Sequence, residues 1–393
     1  MKIYLVGTGM GDNDSITLKA KEIIDNADII IGAKRLTENV PKYKTLFNSY
    51  KSEEIAKYLS DKNVDSVAIL LSGDVGFYSG AKRLIEVLSD YDIELIPGIS
   101  SVLYFCARLK TSWDDVKLLS LHGKRQNIIQ YIKRYKKVFA ILSGNDSIKE
   151  LCEKLCYYNM GDTLLHIGQR LSYNDESIIT IRAEDIKEFK FDKLSVVLAE
   201  NMKAENVSMG CISDDKFVRG NVPMTKSEVR ALSIAKLELK ENSVLFDVGA
   251  GTGSISIESG MKLIDGEVYA IDYDSEAIEL INKNKQKFAA DNVKIIKGRA
   301  PQAMNGLPAP THIFIGGSSG NMSEIINWGI TKNPDVKIVV NVIALNTLSE
   351  VINIINCNNI KAEIISINIA KDKILGNYRL MMGQNPVYII TIN

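Results

Sequence analysis

The chain has 393 residues, enough for about two or three domains of ordinary size, and 46% hydrophobic with 24% charged residues excludes a disordered polymer. Lysine plus arginine equals aspartate plus glutamate at 48 each, which excludes the basic excess of a general nucleic-acid binder but leaves room for a local basic pocket. No apolar run approaches the ~20 residues that span a bilayer, and the opening MKIYLVGTGM runs straight into a glycine turn, unlike a signal peptide.

A cytoplasmic protein with no membrane and no nucleic-acid partner is therefore expected. KIYLVG (2–7) predicts a strand ending in glycines, and SITLKAKEIIDNAD (15–28) carries apolar residues at helical spacing. ADIIIG, SVAILLSG and IELIPG predict further short strands, each ending at glycine. Such repeated strand–helix units predict an α/β fold with mainly parallel sheet. Cys106, Cys152, Cys156, Cys211 and Cys357 form no CxxC pair or Cys/His cluster. They read as reduced packing residues, with no metal site.

Near residues 200–222 the chain turns polar and aperiodic and ends in a proline, so a boundary is placed at 205–215 between domains 1–205 and 215–393. Beyond it the alternation restarts as SVLFDVG (243–249), EVYAID (267–272), NVKIIKG (292–298), HIFIGG (312–317), KIVVNV (337–342), AEIISINIA (362–370) and PVYIITI (386–392). Helical patterns fill most gaps between the first five. The last two lack one between them and are expected to pair antiparallel. A parallel core closed by a terminal antiparallel pair is the Rossmann-like layout of class I methyltransferases.

LFDVGAGTGSISIE (245–258) carries the strongest local signal. The loop Gly249, Ala250, Gly251, Thr252, Gly253 lets the backbone turn tightly and approach a ligand closely. Asp272 closes the next strand, where a carboxylate can accept hydrogen bonds from ribose hydroxyls. Dinucleotide sites use GxGxxG with the pyrophosphate over a helix N-terminus. Here the spacing is GxGxG, and Ser254 stands where the third dinucleotide glycine would be. That favours S-adenosylmethionine, which has no pyrophosphate.

RGNVPMTKSEVRAL (219–232), with DVGAGTG and FIGGSSG (314–320), closely resembles the precorrin-6B 15-methyltransferases that also remove the acetate carboxylate at carbon 12. The resemblance covers about residues 215–393. It implies that Thr225, the loop 249–253, Asp272 and Ala300 contact the cofactor. It also implies that Gly316, Gly317, Ser318, Ser319 and Gly320 lie beside the substrate and offer N–H groups to its carboxylates. The family usually reads Gly-Asp-Ala-Pro where this chain reads Gly298-Arg299-Ala300-Pro301. Arg299 either weakens cofactor binding or leaves the missing contact to a backbone group.

In the first half, YLVGTGMGD (4–12) is a weak signal alone, and no acidic residue closes the following strand, which disfavours a dinucleotide. LLSGDVGFYSG (70–80), PGISSV (97–102) and LHGKR (121–125) follow in the order and spacing of the tetrapyrrole methylase family, the class III methyltransferases. FYSG and the fusion resemble the precorrin-7 5-methyltransferases within it. Over residues 1–205 the resemblance implies two α/β lobes with the cofactor in the cleft between them. Met10, Asp74, Phe77, Ser100, Ser101 and Leu142 would line that cleft, with Val75 standing where proline is commoner.

Together the halves resemble fused precorrin-6Y C5,15-methyltransferases (decarboxylating) of cobalamin biosynthesis, with S-adenosylmethionine as cofactor and an anionic precorrin or cobalt-precorrin as substrate. A homo-oligomer is implied, since both families commonly assemble. Carboxylate arms call for cations: Lys34, Arg35, Arg83, Lys124 and Arg125 in the first half, Arg219, Lys226 and Arg230 in the second, with His122 the histidine best placed for a polar role beside the substrate. His166 and His312 lie within strand patterns and read as structural. The rival readings are a methyltransferase acting on RNA or protein, a non-catalytic tetrapyrrole or cofactor module, and a nicotinamide oxidoreductase.

Overall fold

The computed structural model describes residues 1–393 except 13, 39, 42, 122–126, 143–146, 187–194, 206–210 and 264. Two compact units result. One comprises Met1–Lys124, Lys136–Cys152 and Asp162–Met202; the other comprises Arg125–Tyr135, Glu153–Gly161 and Lys203–Asn393. No described helix is long and apolar enough to cross a membrane.

Two five-stranded sheets build the first unit. The first contains β1 (Lys2–Gly7), β2 (Ile29–Gly32), β3 (Thr45–Asn48), β4 (Ser66–Leu71) and β5 (Asp92–Ile96), ordered β3-β2-β4-β1-β5. All its pairings are parallel, with Ile3 opposite Val67 and Ile93. Apolar clusters cover both faces, one around Ile3, Leu5 and Ile69 and one around Val6, Ile30 and Ala68. Runs such as IIIG are accordingly buried throughout, the signature of a two-sided parallel strand.

The second sheet contains β6 (Lys117–Ser120), β7 (Lys137–Ile141), β8 (Leu164–Gln169), β9 (Ser177–Arg182) and β10 (Ser195–Glu200), ordered β6-β7-β10-β8-β9. Here only β6 and β7 run parallel; β10 is antiparallel to β7 and β8, and β8 to β9. The expectation of mainly parallel sheet fails for this lobe. No helix separates β8 from β9, and such a short connection returns the chain antiparallel.

The second unit holds a seven-stranded sheet. Its strands are β11 (Val244–Val248), β12 (Glu267–Asp272), β13 (Val293–Lys297), β14 (His312–Ile315), β15 (Lys337–Val342), β16 (Ala362–Ile367) and β19 (Val387–Ile392). The order is β13-β12-β11-β14-β15-β19-β16, with the first five parallel and β19 antiparallel to both neighbours. The expected terminal antiparallel pair is present. Between its strands lies a second hairpin that the sequence pattern did not reveal, β17 (Ala370–Leu375) and β18 (Tyr378–Gly383). Every residue of that ribbon is exposed, so no buried face imposes an alternating pattern on it.

Candidate active sites

In the second unit, three glycines turn the chain between β11 and the helix Ser254–Lys262. Gly249, Gly251 and Gly253 all sit in the left-handed region, at φ +70°, +57° and +77°. A Cβ on Gly249 would lie 2.6 Å from the Gly317 carbonyl oxygen, and one on Gly251 2.4 Å from that of Pro223. The loop therefore touches two other segments backbone to backbone, which only glycine permits. Asp272 fastens it from beneath: Oδ2 accepts from the Gly251 N–H at 2.9 Å and Oδ1 from the Asp274 N–H at 3.0 Å.

A cavity of about 220 Å³ opens over this loop, lined by Gly249, Gly251, Asp272, Arg299, Ala300 and the segment Gly316–Ser319. The cradle fits an adenosine-type cofactor. It joins a carboxylate at the end of β12 to glycines whose missing Cβ atoms leave the backbone open. Arg299, in place of the usual aspartate, lies over the Tyr273 ring at 4.7 Å from its centroid. Ala250, Thr252 and Gly253 do not line the cavity. Ala250 packs on the core, Thr252 is buried, and Gly253 lies against Ile281.

A second cavity, about 590 Å³, adjoins the first. Thr225, Lys226, Gly316–Gly320, Asn341–Ala344, Gln384 and Asn385 line it. Both cavities share Pro223 and Gly316–Ser319, so one loop forms the partition between them. Thr225, expected at the cofactor, stands on this second wall. The N–H groups of Gly316 and Gly317 are not offered outward, because both turn to the Val248 carbonyl at 2.9 and 3.4 Å. Those of Ser318, Ser319 and Gly320 make no backbone hydrogen bond among the described residues.

Two expected substrate cations are corrected. Arg219 is exposed and lines neither cavity. Arg230 is wholly buried: Nε donates to Glu258 at 2.8 Å, Nη1 to Asp214 at 3.1 Å and to the Thr225 carbonyl at 2.7 Å, and Nη2 to the Ile212 carbonyl. It is a scaffold residue under the cavity wall. Lys226 remains on the wall, with no ion-pair partner among the described residues.

Sequence reasoning missed Asn284. Buried on the helix Ser275–Phe288, it accepts from the Val218 N–H at 2.7 Å and donates to the carbonyls of Val218 and Thr252 at 3.0 and 2.9 Å. One amide thus ties the strap before Pro223 to the glycine loop. A polar residue at a core-facing helix position is the signal that could have found it.

Two buried groups here titrate in opposite senses. Burial pushes the Asp247 carboxyl up to about 7, helped by the neighbouring Asp272 charge and opposed by the hydrogen bond from Ser256. Burial and the charges of Lys337 and Lys240 push His312 down to about 4. Its ring nitrogen meets the Thr311 hydroxyl at 2.8 Å, a structural role as expected. Between pH 4 and 6.5 the folded state holds the Asp247 proton that the unfolded chain releases, so stability falls as pH rises. The unfolded chain holds the His312 proton that the folded state excludes, so that term rises. Asp247→Asn should leave stability climbing across this window and His312→Asn should leave it falling, each with a slope of at most about 1.4 kcal/mol per pH unit. Denaturation midpoints at pH 4.5 and 6.5 check this; parallel curves for both variants would contradict it.

In the first unit, glycines from three motifs converge. A Cβ on Gly7 would lie 2.7 Å from the Gly98 nitrogen, and one on Gly98 2.4 Å from the Gly73 carbonyl oxygen. Asp74 locks the junction, with Oδ1 accepting from Gly76 N–H at 2.8 Å and Oδ2 from Gly98 N–H at 3.0 Å. Beside it lies a cavity of about 280 Å³, lined by segments that follow strands of the first sheet, such as Met10, Ser72 and Gly73, and by residues of the second sheet, such as Ser120, Ile141 and Val196. Met10, Phe77, Ser101 and Leu142 line it as expected. Asp74 and Ser100 do not: the first holds loops together, and the second caps the helix Ser101–Arg108. Val75 is buried in the core beside β4.

Among the remaining expected cations, Arg83 pairs with Glu53 and Glu86 on the surface and Lys34 is exposed away from the cavity, while Arg35 lines it. His122, Lys124 and Arg125 lie outside the described residues. His166 hydrogen-bonds Thr180 at 2.8 Å across the second sheet. Cys106 and Cys152 are buried, whereas Cys156, Cys211 and Cys357 are exposed.

Residues 215–393 match the family described as the precorrin methyltransferase domain, and residues 2–187 match the tetrapyrrole (corrin/porphyrin) methylases. A probable cobalt-precorrin-6B C(15)-methyltransferase (decarboxylating) of Pyrobaculum calidifontis is 38% identical over 183 residues, 46% of this chain and 94% of that protein. The precorrin-6Y C(5,15)-methyltransferase (decarboxylating) of a Sinorhizobium species is 26% identical over 330 residues, 80% of this chain and 78% of its own. A crystal structure of a precorrin-6Y C5,15-methyltransferase from Geobacter metallireducens is 35% identical, covering 47% of this chain and 99% of that one with a TM-score of 0.45.

Proposed function

The chain belongs to the precorrin methyltransferase family, and from that premise we propose that it is a bifunctional, decarboxylating C-methyltransferase of cobalamin biosynthesis. Residues 215–393 form the domain that methylates carbon 15 of a precorrin and removes the carbon-12 acetate carboxylate. Residues 1–205 form the domain that methylates carbon 5. The observation that carries this reading is the partition Gly316–Ser319, which lines a glycine-loop cavity on one side and a larger cavity on the other.

S-adenosylmethionine supplies a methyl group on a positively charged sulfur. Asp272 would accept from its ribose hydroxyls, while the Gly249–Gly251 backbone and Ala300 flank the nucleoside. The acceptor carbon of the macrocycle is already electron-rich, since the adjacent pyrrole nitrogen donates into it. The protein therefore needs alignment across the partition and exclusion of water more than a strong base. Lys226 and the N–H groups of Ser318, Ser319 and Gly320 would hold acetate and propionate arms. Holding the carbon-12 acetate with its breaking bond along the π system lets that bond's electron pair enter the macrocycle as carbon dioxide leaves. In the first unit, Met10, Phe77, Ser101 and Leu142 would receive the second cofactor molecule. Fusion keeps the intermediate at high effective concentration near the second site; the order carbon 15 before carbon 5 is what the family resemblance implies. Such an enzyme works in the cytoplasm, as a homo-oligomer.

Anaerobic incubation with S-adenosylmethionine and precorrin-6B, or its cobalt form, followed by mass spectrometry, tests the reading. A gain of two methyls with loss of carbon dioxide is expected. No mass change with either form, while the cofactor still binds, would remove the corrinoid assignment.

A further inference from the structure

Two segments from the first half of the chain are built into the second unit. The helix Ile128–Arg134 and the residues after Cys152 in the helix Ser147–Tyr157 lie within the stretch that matches the tetrapyrrole methylases, yet both belong to the second compact unit. Their hydrogen bonds there fall on the carboxyl ends of two helices, Ser254–Lys262 and Ser275–Phe288.

The last carbonyls of a helix have no partner inside it and must find one elsewhere. At the end of Ser275–Phe288 the chain turns back to serve two of them: the Ala290 N–H donates to the Lys285 carbonyl at 3.0 Å and the Ala289 N–H to that of Gln286 at 3.2 Å. The next two are served from the first half of the chain. Lys133 Nζ donates to the Lys287 carbonyl at 3.1 Å, and Gln130 Nε2 to that of Phe288 at 2.9 Å and to that of Ala289. On the neighbouring helix, Arg134 donates to the Met261 carbonyl. Lys133 and Arg134 thereby set positive charge where the helix dipoles are negative. A second clamp lies just beyond: the Asp291 carboxylate accepts from the Tyr158 hydroxyl at 3.0 Å and pairs with Lys154 at 2.8 Å.

The helix end closed in this way carries the glycine loop. Asn284 sits about one turn before Phe288, and its amide donates to the Thr252 carbonyl at 2.9 Å while bonding Val218 through both its groups. Ile281, on the same helix, lies 3.1 Å from where a Cβ on Gly253 would stand. Helix ends without partners fray, and fraying of a single turn here would release the amide that fixes Thr252. We propose that Gln130 and Lys133 are positioning residues of the second unit's cofactor cavity: by closing the carboxyl end of Ser275–Phe288 they keep Asn284, and with it the loop 249–253, in place. The identity of the ligand over that loop rests on the function proposed above; the hold on the loop does not.

The test is hydrogen–deuterium exchange of the full chain without ligand, read by mass spectrometry, on wild type, K133M and Q130M/K133M. Methionine is similar in length to both side chains and donates no hydrogen bond. Peptides spanning 284–290 and 249–253 should both exchange faster in the double variant, by about tenfold or more, since leaving a buried acceptor without its donor costs roughly that factor. K133M should change the same two places by less, and K133R should behave as wild type. Strands β14 and β15 should exchange as before. Acceleration confined to 284–290 overturns the proposal, as does no change at either place or a change that spreads evenly to β14 and β15 in both variants. S-adenosylhomocysteine at about 100 times its dissociation constant should slow both places in the wild type together, by about 100-fold. Protection of the loop alone overturns the proposal. If the ligand protects neither place, the cofactor reading fails, and the unliganded comparison still decides whether Gln130 and Lys133 hold the loop.

Discussion

Gly251→Ala should remove one of two S-adenosylhomocysteine binding events measured by calorimetry on the full chain. The new Cβ would lie 2.4 Å from the Pro223 carbonyl oxygen, a backbone atom that no rotamer change can clear. Relief requires the loop or the strap to move, and both moves are resisted. The Gly251 N–H is bonded to Asp272, while the strap is tied through Val218 to Asn284 and through the Asn221 N–H to Glu276 at 2.7 Å. At φ +57° alanine also carries the left-handed penalty of about 1–2 kcal/mol. Clash and penalty together should weaken binding at the second unit by about 100-fold or more, since each 1.4 kcal/mol is tenfold. The first unit should keep its affinity. Two undiminished events in the variant would show that the 249–253 loop does not hold the cofactor.

Arg230→Met should destabilise the second unit by about 3–5 kcal/mol, the cost of leaving a buried charge without its partner. The bereaved group is Glu258, 2% exposed, whose Oε2 accepts from Arg230 Nε. The Arg230 guanidinium also packs over the Phe217 ring at 4.9 Å and holds the Thr225 carbonyl on the larger cavity's wall. The double variant R230M/E258M should recover most of the loss, because two well-packed apolar side chains can replace a buried ion pair at little cost. Denaturant unfolding followed alongside S-adenosylhomocysteine binding at the first unit separates a local effect from a global one. A single variant as stable as wild type would mean that Glu258 reaches water or another cation.

The strands of the second unit were legible because their signal is local. EVYAID and KIVVNV match β12 and β15 end to end, as β-branched apolar runs buried on two faces should. The glycines at 249, 251 and 253 were legible too, since each position demands a backbone conformation that other residues rarely adopt. The exposed ribbon β17–β18 was not, for want of a buried face. Nor was the direction of β8, β9 and β10, because the side-chain period of a strand is the same in either direction.

Charges divided the same way. RGNVPMTKSEVR marked a segment of which Pro223, Thr225 and Lys226 line a cavity. It could not say that Lys226 faces the cavity while Arg230, four residues on, faces Glu258 and Asp214. Likewise YLVGTGMGD announced a glycine turn, but only the fold shows that Gly11 makes room for Tyr173, 162 residues further along the chain. The sequence by itself determined where the backbone bends and which runs are apolar, because those properties belong to single residues and their immediate neighbours. Tertiary structure alone decided which cations are buried and which line a cavity, because burial is set by atoms that the chain brings together from distant positions.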